Sequence, residues 1–255
     1  MPFGPHARAH GFRSGLFALE LLDASSRARR RDRLITPPPP TASADADSGE
    51  RSRDPQRTRA EILDVATREF AASGYAGARV DEIAAKTRTT KRMIYYYFDS
   101  KEGLYLAALE RAYAGIRSLE QQVDVEHLDP VAALRQLAEL TFDHHESHPD
   151  FIRLVSIENI HGAKHLAQSS ALPGLSMPVR EVIGQILERG WAEKVFREDV
   201  DALDVHMLIS SYCVFRIANR HTFNAIFDRD LLDPKLRKHY RKMIGDLAVE
   251  YLTAR

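Results

Sequence analysis

The sequence predicts an all-α fold, in which a small N-terminal domain of three helices precedes a larger helical domain. From Asp54 onward, apolar residues recur at intervals of three and four, which is the spacing of one face of an α helix. The pairs Asp54-Pro55, Asp129-Pro130 and Asp233-Pro234 are typical of helix starts, because aspartate caps a helix well and proline loses no hydrogen bond at its first position. No segment shows the bounded alternation of apolar and polar residues that indicates a β strand.

The first 54 residues differ in composition from the rest of the chain. They contain five arginines between residues 27 and 33, four consecutive prolines at 37–40, and a small, acidic tract up to Glu50. Such a segment buries too little apolar surface to offset the entropy of ordering it, so we expect residues 1–54 to be disordered. The arginines have two interpretations, an arm that contacts DNA phosphates or a solvated tail, and the composition favours the tail.

Charge and composition exclude several classes of protein. Lysine plus arginine number 36, as do aspartate plus glutamate, so the formal net charge is zero and any attraction to nucleic acid comes from a local patch. The single cysteine, Cys213, has no partner for an internal disulfide and no ligand set for zinc. No apolar run is long enough to span a bilayer, and the run at 16–22 is too short for a signal peptide. We expect a cytoplasmic protein with no membrane partner.

The helical pattern divides the chain after Asp54 into residues 55–101 and residues 102–255. The first helix is predicted to end at Gly74, since glycine adopts the left-handed conformation that closes a helix. Asp99 and Glu102 have the spacing of a capping box, which predicts a long helix over about 100–122. The other predicted helices cover 80–86, 90–97, 130–147, 150–161, 177–193, 200–226 and 235–253.

Residues 79–101, RVDEIAAKTRTTKRMIYYYFDSK, carry the strongest functional signal. Two short helices joined by a tight turn form the geometry in which the second helix lies in the major groove of DNA. If Thr90 caps that second helix, its first turn presents Lys91 and Arg92 to base edges and its free amide groups to a phosphate. The alternative is a helical hairpin with a solvated basic face. The combination of four cations within seven residues, the turn spacing and the three tyrosines that follow favours DNA binding.

The stretch from Thr58 to about Leu109 resembles the DNA-binding domain of TetR-family repressors. The likeness lies in AEILDVATREFAASGYAGARVDEIAA and in KRMIYYYFDSKEGLY. The family's aromatic run at the end of the recognition helix corresponds to residues 95–98, and its phosphate-binding lysine corresponds to Lys101. This resemblance, together with the basic character of the segment, selects as DNA-binding candidates Arg79, Arg88, Thr90, Lys91, Arg92, Met93, Tyr95, Tyr97 and Lys101.

Two positions depart from the family's pattern. Arg88 stands where the family usually has glycine in the turn between the two short helices. A residue other than glycine in a left-handed turn costs on the order of 1 kcal/mol, so either the turn is distorted or Arg88 compensates by contacting a phosphate. Ala78 stands where the family often has a hydroxyl residue, so the second helix is expected to lack that cap, which typically contributes about 1 kcal/mol.

TetR-type repressors are homodimers whose last two helices form a four-helix interface with the partner. The resemblance therefore implies a homodimer through about 200–226 and 235–253. A dimer also suits the recognition task, because two recognition helices about 34 Å apart bind the two halves of a palindromic operator. Each apolar residue of these segments has the alternative of packing inside its own chain. The candidates are Leu203, Met207, Ile209, Ser210, Val214, Ile217, Met243, Ile244, Leu247 and Tyr251.

The resemblance also implies a small-molecule effector pocket in the larger domain and no cofactor. The stretch HPDFIRLVSIENIHGAKHL resembles the branch of the family that includes regulators of pyrimidine and nicotinate catabolism, which implies a nitrogen heterocycle or similar metabolite as effector. We expect the effector to shift the long helix over 100–122 and so change the spacing of the two recognition helices. Polar residues among the apolar helices are the pocket candidates: His144, Arg153, Glu158, His161, Trp191, Arg216 and Asn219.

Three other functions fit the sequence less well: a metal-binding protein, an enzyme and an architectural DNA binder. Glu158, His161 and His165 would share a helical face and could hold a metal, but Gly162 is expected to end that helix, so no metal site is predicted. An enzyme would need a nucleophile elbow, a glycine-rich phosphate loop or a paired-carboxylate motif, none of which is present, so no catalytic residue is predicted. An architectural DNA binder would need a dense positive charge. We therefore predict a sequence-specific transcriptional regulator that binds its operator as a homodimer. The family resemblance implies a ligand-released repressor, and an activator is the alternative, because the position of the operator decides between them.

Overall fold

A computed structural model describes residues 54–253, which lie within one compact unit of the chain. Over these residues the backbone forms ten α helices and one short 3₁₀ helix, without a β strand. The predicted all-α fold is therefore confirmed. None of the helices described is long and apolar enough to cross a membrane. The disorder predicted for residues 1–54 concerns a segment that, apart from Asp54, lies outside the described residues.

The helices follow the predicted order. The first four are α1 (Pro55–Gly77), α2 (Val80–Lys86), α3 (Lys91–Phe98) and α4 (Lys101–Glu120). The next six are α5 (Pro130–Ser147), α6 (Pro149–Ile160), α7 (Leu172–Ala192), α8 (Ala202–Ala218), α9 (Arg220–Phe227) and α10 (Pro234–Thr253), with the 3₁₀ helix (Leu166–Gln168) between α6 and α7. We call α1–α3 the small domain and α5–α10 the larger domain, as names for two sets of helices within the one compact unit.

Side-chain caps fix several helix starts as the sequence predicts. The carboxylate of Asp54 accepts a hydrogen bond from the Gln56 N–H at 3.0 Å, and that of Asp129 accepts one from the Ala132 N–H at 2.9 Å. Asp233 accepts one from the Lys235 N–H at 2.9 Å at the start of α10. These bonds satisfy amide groups that have no partner within the first turn of a helix.

The start of α4 corrects the predicted capping box of Asp99 and Glu102. Ser100 caps the helix, and its hydroxyl accepts a hydrogen bond from the Gly103 N–H at 2.9 Å. Asp99 instead closes α3 in a left-handed conformation, with φ 60° and ψ −45°. The junction between α3 and α4 is so short that Asp99 must end one helix before the next begins, and it is therefore not free to cap α4.

Two other predicted boundaries change. The helix predicted over 200–226 is two helices, because Asn219 leaves the helical conformation with φ −100° and ψ 6°, after its N–H has completed the last turn of α8 by donating to the Phe215 carbonyl at 3.0 Å. Asparagine tolerates this break because its side chain competes for backbone hydrogen bonds. A bidentate salt bridge ties the start of α9 to the segment that follows it: Arg220 Nε donates to Asp230 Oδ1 at 2.8 Å and Arg220 Nη2 donates to Asp230 Oδ2 at 2.6 Å. The helix predicted over 177–193 begins earlier, at Leu172.

Helix α4 takes part in two hydrophobic clusters. Its N-terminal half buries Leu104, Tyr105 and Leu109 in a cluster with α1, α2 and α3, which Leu154 of α6 also joins. Its C-terminal half buries Ile116 in a cluster with residues of α6 and α8. One helix therefore links the small domain to the larger one, and the small domain is packed directly against α6.

We predict opposite effects of alanine at two glycines. A Cβ at Gly103 would collide with the backbone carbonyl of Phe98, so Gly103→Ala should lower the free energy of unfolding by about 1–3 kcal/mol, the usual cost of overpacking. The matched control is Gly184→Ala in α7, where a Cβ meets nothing within 4 Å; it should raise stability by about 0.5–1 kcal/mol. Urea unfolding followed by circular dichroism measures both, and equal effects would contradict the tight α3–α4 junction.

Candidate DNA-binding surface and effector cavities

Helix α3 has one buried face and one exposed face. Ile94 and Phe98 are buried against Ile83 and Ala84 of α2, as the sequence predicts for the contact between the two short helices. On the opposite side the chain exposes the residues that the sequence selects for DNA contact. These exposed candidates are Arg88, Thr90, Lys91, Arg92, Met93 and Tyr95, while Tyr97 and Lys101 are half-buried.

The N-terminus of α3 is built as predicted. The Thr90 hydroxyl accepts a hydrogen bond from the Met93 N–H at 3.2 Å and so caps the helix. The Lys91 ammonium lies 5.9 Å from the centre of the Tyr95 ring. Neither Lys91 nor Arg92 forms a salt bridge with another residue of the described range 54–253. The first turn of α3 thus presents two cationic side chains beside the exposed amide groups of a helix start, an arrangement that attracts anions.

The two departures from the family's pattern lie in the turns on either side of α2. Arg88 adopts φ 52°, so a residue other than glycine occupies the left-handed position. Helix α2 has no side-chain cap: its N-cap is Arg79, and the buried Ala78 ends α1 with its N–H donating to the Gly74 carbonyl at 3.1 Å. The Arg79 guanidinium is paired with Asp81 at 2.9 Å on the surface. Exposed pairs are weak, typically about 0.2–1 kcal/mol, so a phosphate can compete for this side chain.

The predicted effector residues do not share one cavity. Arg153 and His161 line a cleft of about 520 Å³ between α1, α6 and the α8–α9 junction. His144 lines a separate cleft of about 410 Å³ beside α1 and α4. Trp191 belongs to the last turn of α7, where its indole N–H donates to the Arg197 carbonyl at 2.8 Å, and Asn219 ends α8.

The remaining two candidates are engaged inside the protein. Arg216 is buried, donates to the Leu231 carbonyl at 2.9 Å, and lies 4.1 Å from the centre of the Phe142 ring. Glu158 is buried and accepts a hydrogen bond from His165 Nδ1 at 2.9 Å. Helix α6 ends at Ile160 and Gly162 adopts φ 67°, so Glu158, His161 and His165 do not lie on one helix. Within residues 54–253 no group of three or more potential ligand side chains is placed to hold a metal ion.

A cavity of about 130 Å³, partly open to solvent, lies between α4, α5, α6 and α8, and we call it the interior cavity because its lining residues are buried or half-buried. Its polar lining includes an ion pair between Arg117 and Glu120, of which Glu120 is only 2% exposed, and the Arg117 Nε is buried without a hydrogen-bond partner. This pair was not predicted from the sequence, although two opposite charges three residues apart beside the apolar Ile116 could have indicated it. The remaining lining residues are Tyr113, Ile116, His145, Phe151, Ile152, Val155, His206, Ser210 and Val214.

Burial keeps the imidazoles of this region neutral. It lowers the pKa of His145 to about 4 and that of His206 to about 4, and the charge of Arg117 acts in the same direction on both. His145 Nδ1 lies 2.8 Å from the Thr141 carbonyl, which can only accept, so Nδ1 carries the proton and Nε2 is an acceptor. Burial also raises the pKa of Glu120, against the opposing effect of Arg117. The cavity therefore offers hydrogen-bonding groups to a small molecule.

The predicted dimer residues divide into three sets. Ile209, Ile217 and Ile244 are buried inside their own chain. Ser210 and Val214 line the interior cavity. The others form exposed apolar surface on α8 and α10, with exposed fractions between 38% and 65%: Leu203, Met207, Met243, Leu247 and Tyr251.

Comparisons with known proteins match both halves of the chain. Residues 62–108 match the family model for bacterial regulatory proteins of the tetR family, and residues 130–248 match that for the tetracyclin repressor-like C-terminal domain. The HTH-type transcriptional repressor NicS of Pseudomonas putida is 35% identical over 205 residues, which is 80% of this chain and 97% of NicS. The regulator RutR of Escherichia coli K12 is 32% identical over 46% of this chain and 54% of RutR.

Solved structures agree with these matches. The crystal structure of a transcriptional regulator from Streptomyces coelicolor, SCO4942, superposes with a TM-score of 0.57 at 30% identity. The superposition covers 76% of this chain and 97% of that one. A tetR-family regulatory protein from Rhodococcus RHA1 superposes with a TM-score of 0.61 at 19% identity and shares the fold.

Replacing Arg88 with glycine tests two roles of this residue: the strain of its backbone, measured by stability, and its contact with DNA, measured by binding. Arg88→Gly should raise the free energy of unfolding by about 1 kcal/mol, because glycine has no penalty at φ 52°. It should also weaken DNA binding and reduce the salt dependence of the binding constant by the share of one phosphate contact. Asp228→Gly, at φ 48° in the larger domain, is the control and should leave DNA binding unchanged. An unchanged salt dependence in Arg88→Gly would exclude the phosphate contact.

Proposed function

Because the chain belongs to the TetR family of bacterial transcriptional regulators, we propose that it is a repressor that binds a palindromic operator as a homodimer and is released by a small-molecule effector. The observation that carries this proposal is the exposed first turn of α3, where Lys91 and Arg92 flank a capped helix start and form no salt bridge within residues 54–253. The relatives, and the families that the models describe, are regulators rather than enzymes. NicS, which this chain matches over 97% of its length, is a repressor.

Operator recognition is divided between phosphate and base contacts. The amide groups at the start of α3 suit a phosphate oxygen, and Lys91 and Arg92 extend from the turn that enters the major groove. Tyr97 and Lys101 lie farther along, where contacts with the DNA backbone hold the helix in register. Because the whole chain has a formal net charge of zero, this local face, not the overall field, must supply the attraction to DNA.

A second copy of the chain is the partner that we propose for the exposed surface of α8 and α10. Met207 is 65% exposed and Leu203 48% exposed on α8, and Tyr251 is 43% exposed on α10. Large exposed apolar side chains clustered on two helices are typical of an interaction site, and a twofold arrangement covers them with the same surface of the partner. The dimer then places two α3 helices on the two halves of an operator.

Helix α4 is the element that we propose to transmit the effector signal. Its 20 residues extend from Lys101, beside the DNA-binding face, to Glu120 at the interior cavity. A helix of that length spans about 30 Å and moves as a rod, so displacement of its C-terminal half by an effector shifts its N-terminal half. Moving a population from mostly bound to mostly released requires an effector preference of about 5 kcal/mol for the released state.

The effector class that we propose is a nitrogen heterocycle or a similar small metabolite. The interior cavity has a volume of about 130 Å³, close to the roughly 150 Å³ of an engineered cavity that binds benzene, so it fits a single ring. Arg117, His145 and Ser210 supply polar groups at its wall. A regulator binds such a molecule and returns it unchanged, so recovery of the unaltered compound after binding is the expected result.

Lys91 and Arg92 are the variants that test operator recognition. Alanine at either should weaken binding by about 1–3 kcal/mol and relax the preference for one base pair if the side chain contacts a base. Fluorescence anisotropy with the operator duplex and a panel of single-base variants measures this. Lys238→Ala, which removes an exposed cation from α10, is the control and should change little. Equal loss across the whole panel would instead assign a phosphate contact.

Charged substitutions on α8 and α10 test the dimer. Met207→Glu and Leu247→Glu place a carboxylate in the proposed interface and should yield monomers, because burying an unpaired charge costs several kcal/mol. Met177→Glu is the control, since Met177 is 51% exposed on α7, outside the proposed interface. Light scattering coupled to size-exclusion chromatography gives the mass. Dimers in all three variants would contradict an interface through α8 and α10.

A further inference from the structure

Lys101 is held at the start of α4 by the end of α1. Gly74 interrupts α1 with φ 69°, and the turn that follows carries Tyr75 and Ala76. The Lys101 ammonium lies 4.9 Å from the centre of the Tyr75 ring and 3.4 Å from the Ala76 carbonyl oxygen. An ammonium over an aromatic face is attracted by the negative potential of the ring. The side chain of Lys101 is therefore fixed by two adjacent residues.

The same Tyr75 ring is in contact with the larger domain. Its centre lies 4.4 Å from that of the His165 ring, which belongs to the segment between α6 and α7. Tyr105 of α4 completes the group, with its ring centre 5.2 Å from Tyr75 and 4.9 Å from His165. Tyr75 thus contacts residues of the small domain, of α4 and of the larger domain.

Glu158 of α6 holds His165 in place. Its carboxylate accepts hydrogen bonds from His165 Nδ1 at 2.9 Å, from the His165 N–H at 3.2 Å and from the Leu166 N–H at 3.0 Å. The side chains of His165 and Glu158 are 7% and 3% exposed. Burial by itself would raise the pKa of Glu158, but these hydrogen bonds outweigh it and hold the pKa below its usual value. The carboxylate is therefore charged at neutral pH and acts as a fixed anchor.

We propose that Tyr75 is a positioning residue for DNA binding, whose ring holds the Lys101 ammonium toward DNA and is itself held by His165 and Glu158 of the larger domain. This inference rests on the proposed function, because it takes Lys101 to contact a phosphate. A lysine has a flexible stem with several rotatable bonds, and a contact made by a side chain that is already ordered loses less entropy on binding. Tyr75 supplies that order before DNA arrives.

The contact also gives the larger domain a second connection to the DNA-binding face, in addition to α4. Glu158 lies near the end of α6, two residues before its last residue Ile160, and Leu154 of the same helix packs into the cluster of the small domain. A movement of α6 that displaced His165 would remove support from Tyr75 and free Lys101. Operator affinity would then fall through loss of one backbone contact, without any change in the base-contacting residues of α3.

The experiment is a double-mutant cycle on Tyr75 and Lys101, with affinity for the operator duplex measured at several salt concentrations. Lys101→Met should weaken binding and reduce the slope of log binding constant against log salt by about one. Tyr75→Leu should weaken binding about three- to tenfold, the range of a cation–π contact, and reduce the slope in the same direction. Tyr75→Phe keeps the ring and should restore wild-type behaviour. In the Lys101→Met background, Tyr75→Leu should add almost nothing.

His165 provides the test from the larger domain. His165→Ala should reproduce part of the effect of Tyr75→Leu. His165→Phe keeps a ring against Tyr75 but loses the hydrogen bond to Glu158, so its affinity should lie between those of the wild type and His165→Ala. Gln168→Ala is the matched control, because Gln168 is an exposed, uncharged residue in the same segment. Thermal unfolding of each variant shows whether it is folded. A loss of affinity counts for the inference only in variants that keep the cooperative unfolding transition of the wild type.

The outcomes separate this inference from the proposed function. If Lys101→Met weakens binding but Tyr75→Leu does not, or if the two losses add in full, Tyr75 does not act through Lys101 and the inference is overturned. If Lys101→Met changes neither affinity nor slope while the wild type binds its operator selectively, Lys101 is not a phosphate contact and the inference fails alone. If the wild type shows no selective binding to any duplex, the proposed function fails.

Discussion

Helix α4 buries Leu104, Tyr105 and Leu109 against the small domain and Ile116 against α6 and α8, so one continuous helix belongs to two hydrophobic clusters. Neither cluster can move without the other unless α4 shifts or bends, and packed interiors do not deform gradually. The junction at Ser100 and Gly103 then packs the end of α3 tightly against the start of this helix, with no room even for a Cβ at Gly103. The orientation of the DNA-binding helix is therefore set by the packing of α4 in the larger domain.

Electrostatic pairing explains how a chain of zero net charge presents a basic surface. Many cations of the larger domain are matched by acids: Arg237 donates to Asp143 and Glu146, and Arg241 donates to Glu139, which ties α10 to α5. The interior pair of Arg117 and Glu120 follows the same pattern. By contrast, Lys91 and Arg92 form no salt bridge within the described residues, so their charge is directed outward at the start of α3. The balance of the whole chain and the excess on one face are therefore compatible.

The parts of the structure that depend on local chemistry were predictable from the sequence. Thr90, Asp54 and Asp129 cap helices because their side chains reach amide groups two or three residues away, and Gly74 breaks α1 where a left-handed residue is needed. The parts that depend on tertiary packing were not. The break at Asn219 has no glycine or proline to signal it, and the effector candidates were chosen by polarity, which does not distinguish a cavity wall from a buried structural partner such as Arg216. The interior cavity is formed by four helices distant in sequence, so its lining emerges only from the fold.

If two chains recognise a palindrome, the protein should select palindromic duplexes from a pool of random-sequence DNA, and a binding-site selection measures this. The selected duplexes are then titrated by fluorescence anisotropy against a scrambled duplex at fixed, near-physiological salt. We expect enrichment of a palindrome, tight binding to it at two chains per duplex, and much weaker binding to the scrambled sequence. A pool that shows no enrichment, with equal and weak binding to both duplexes, would contradict it.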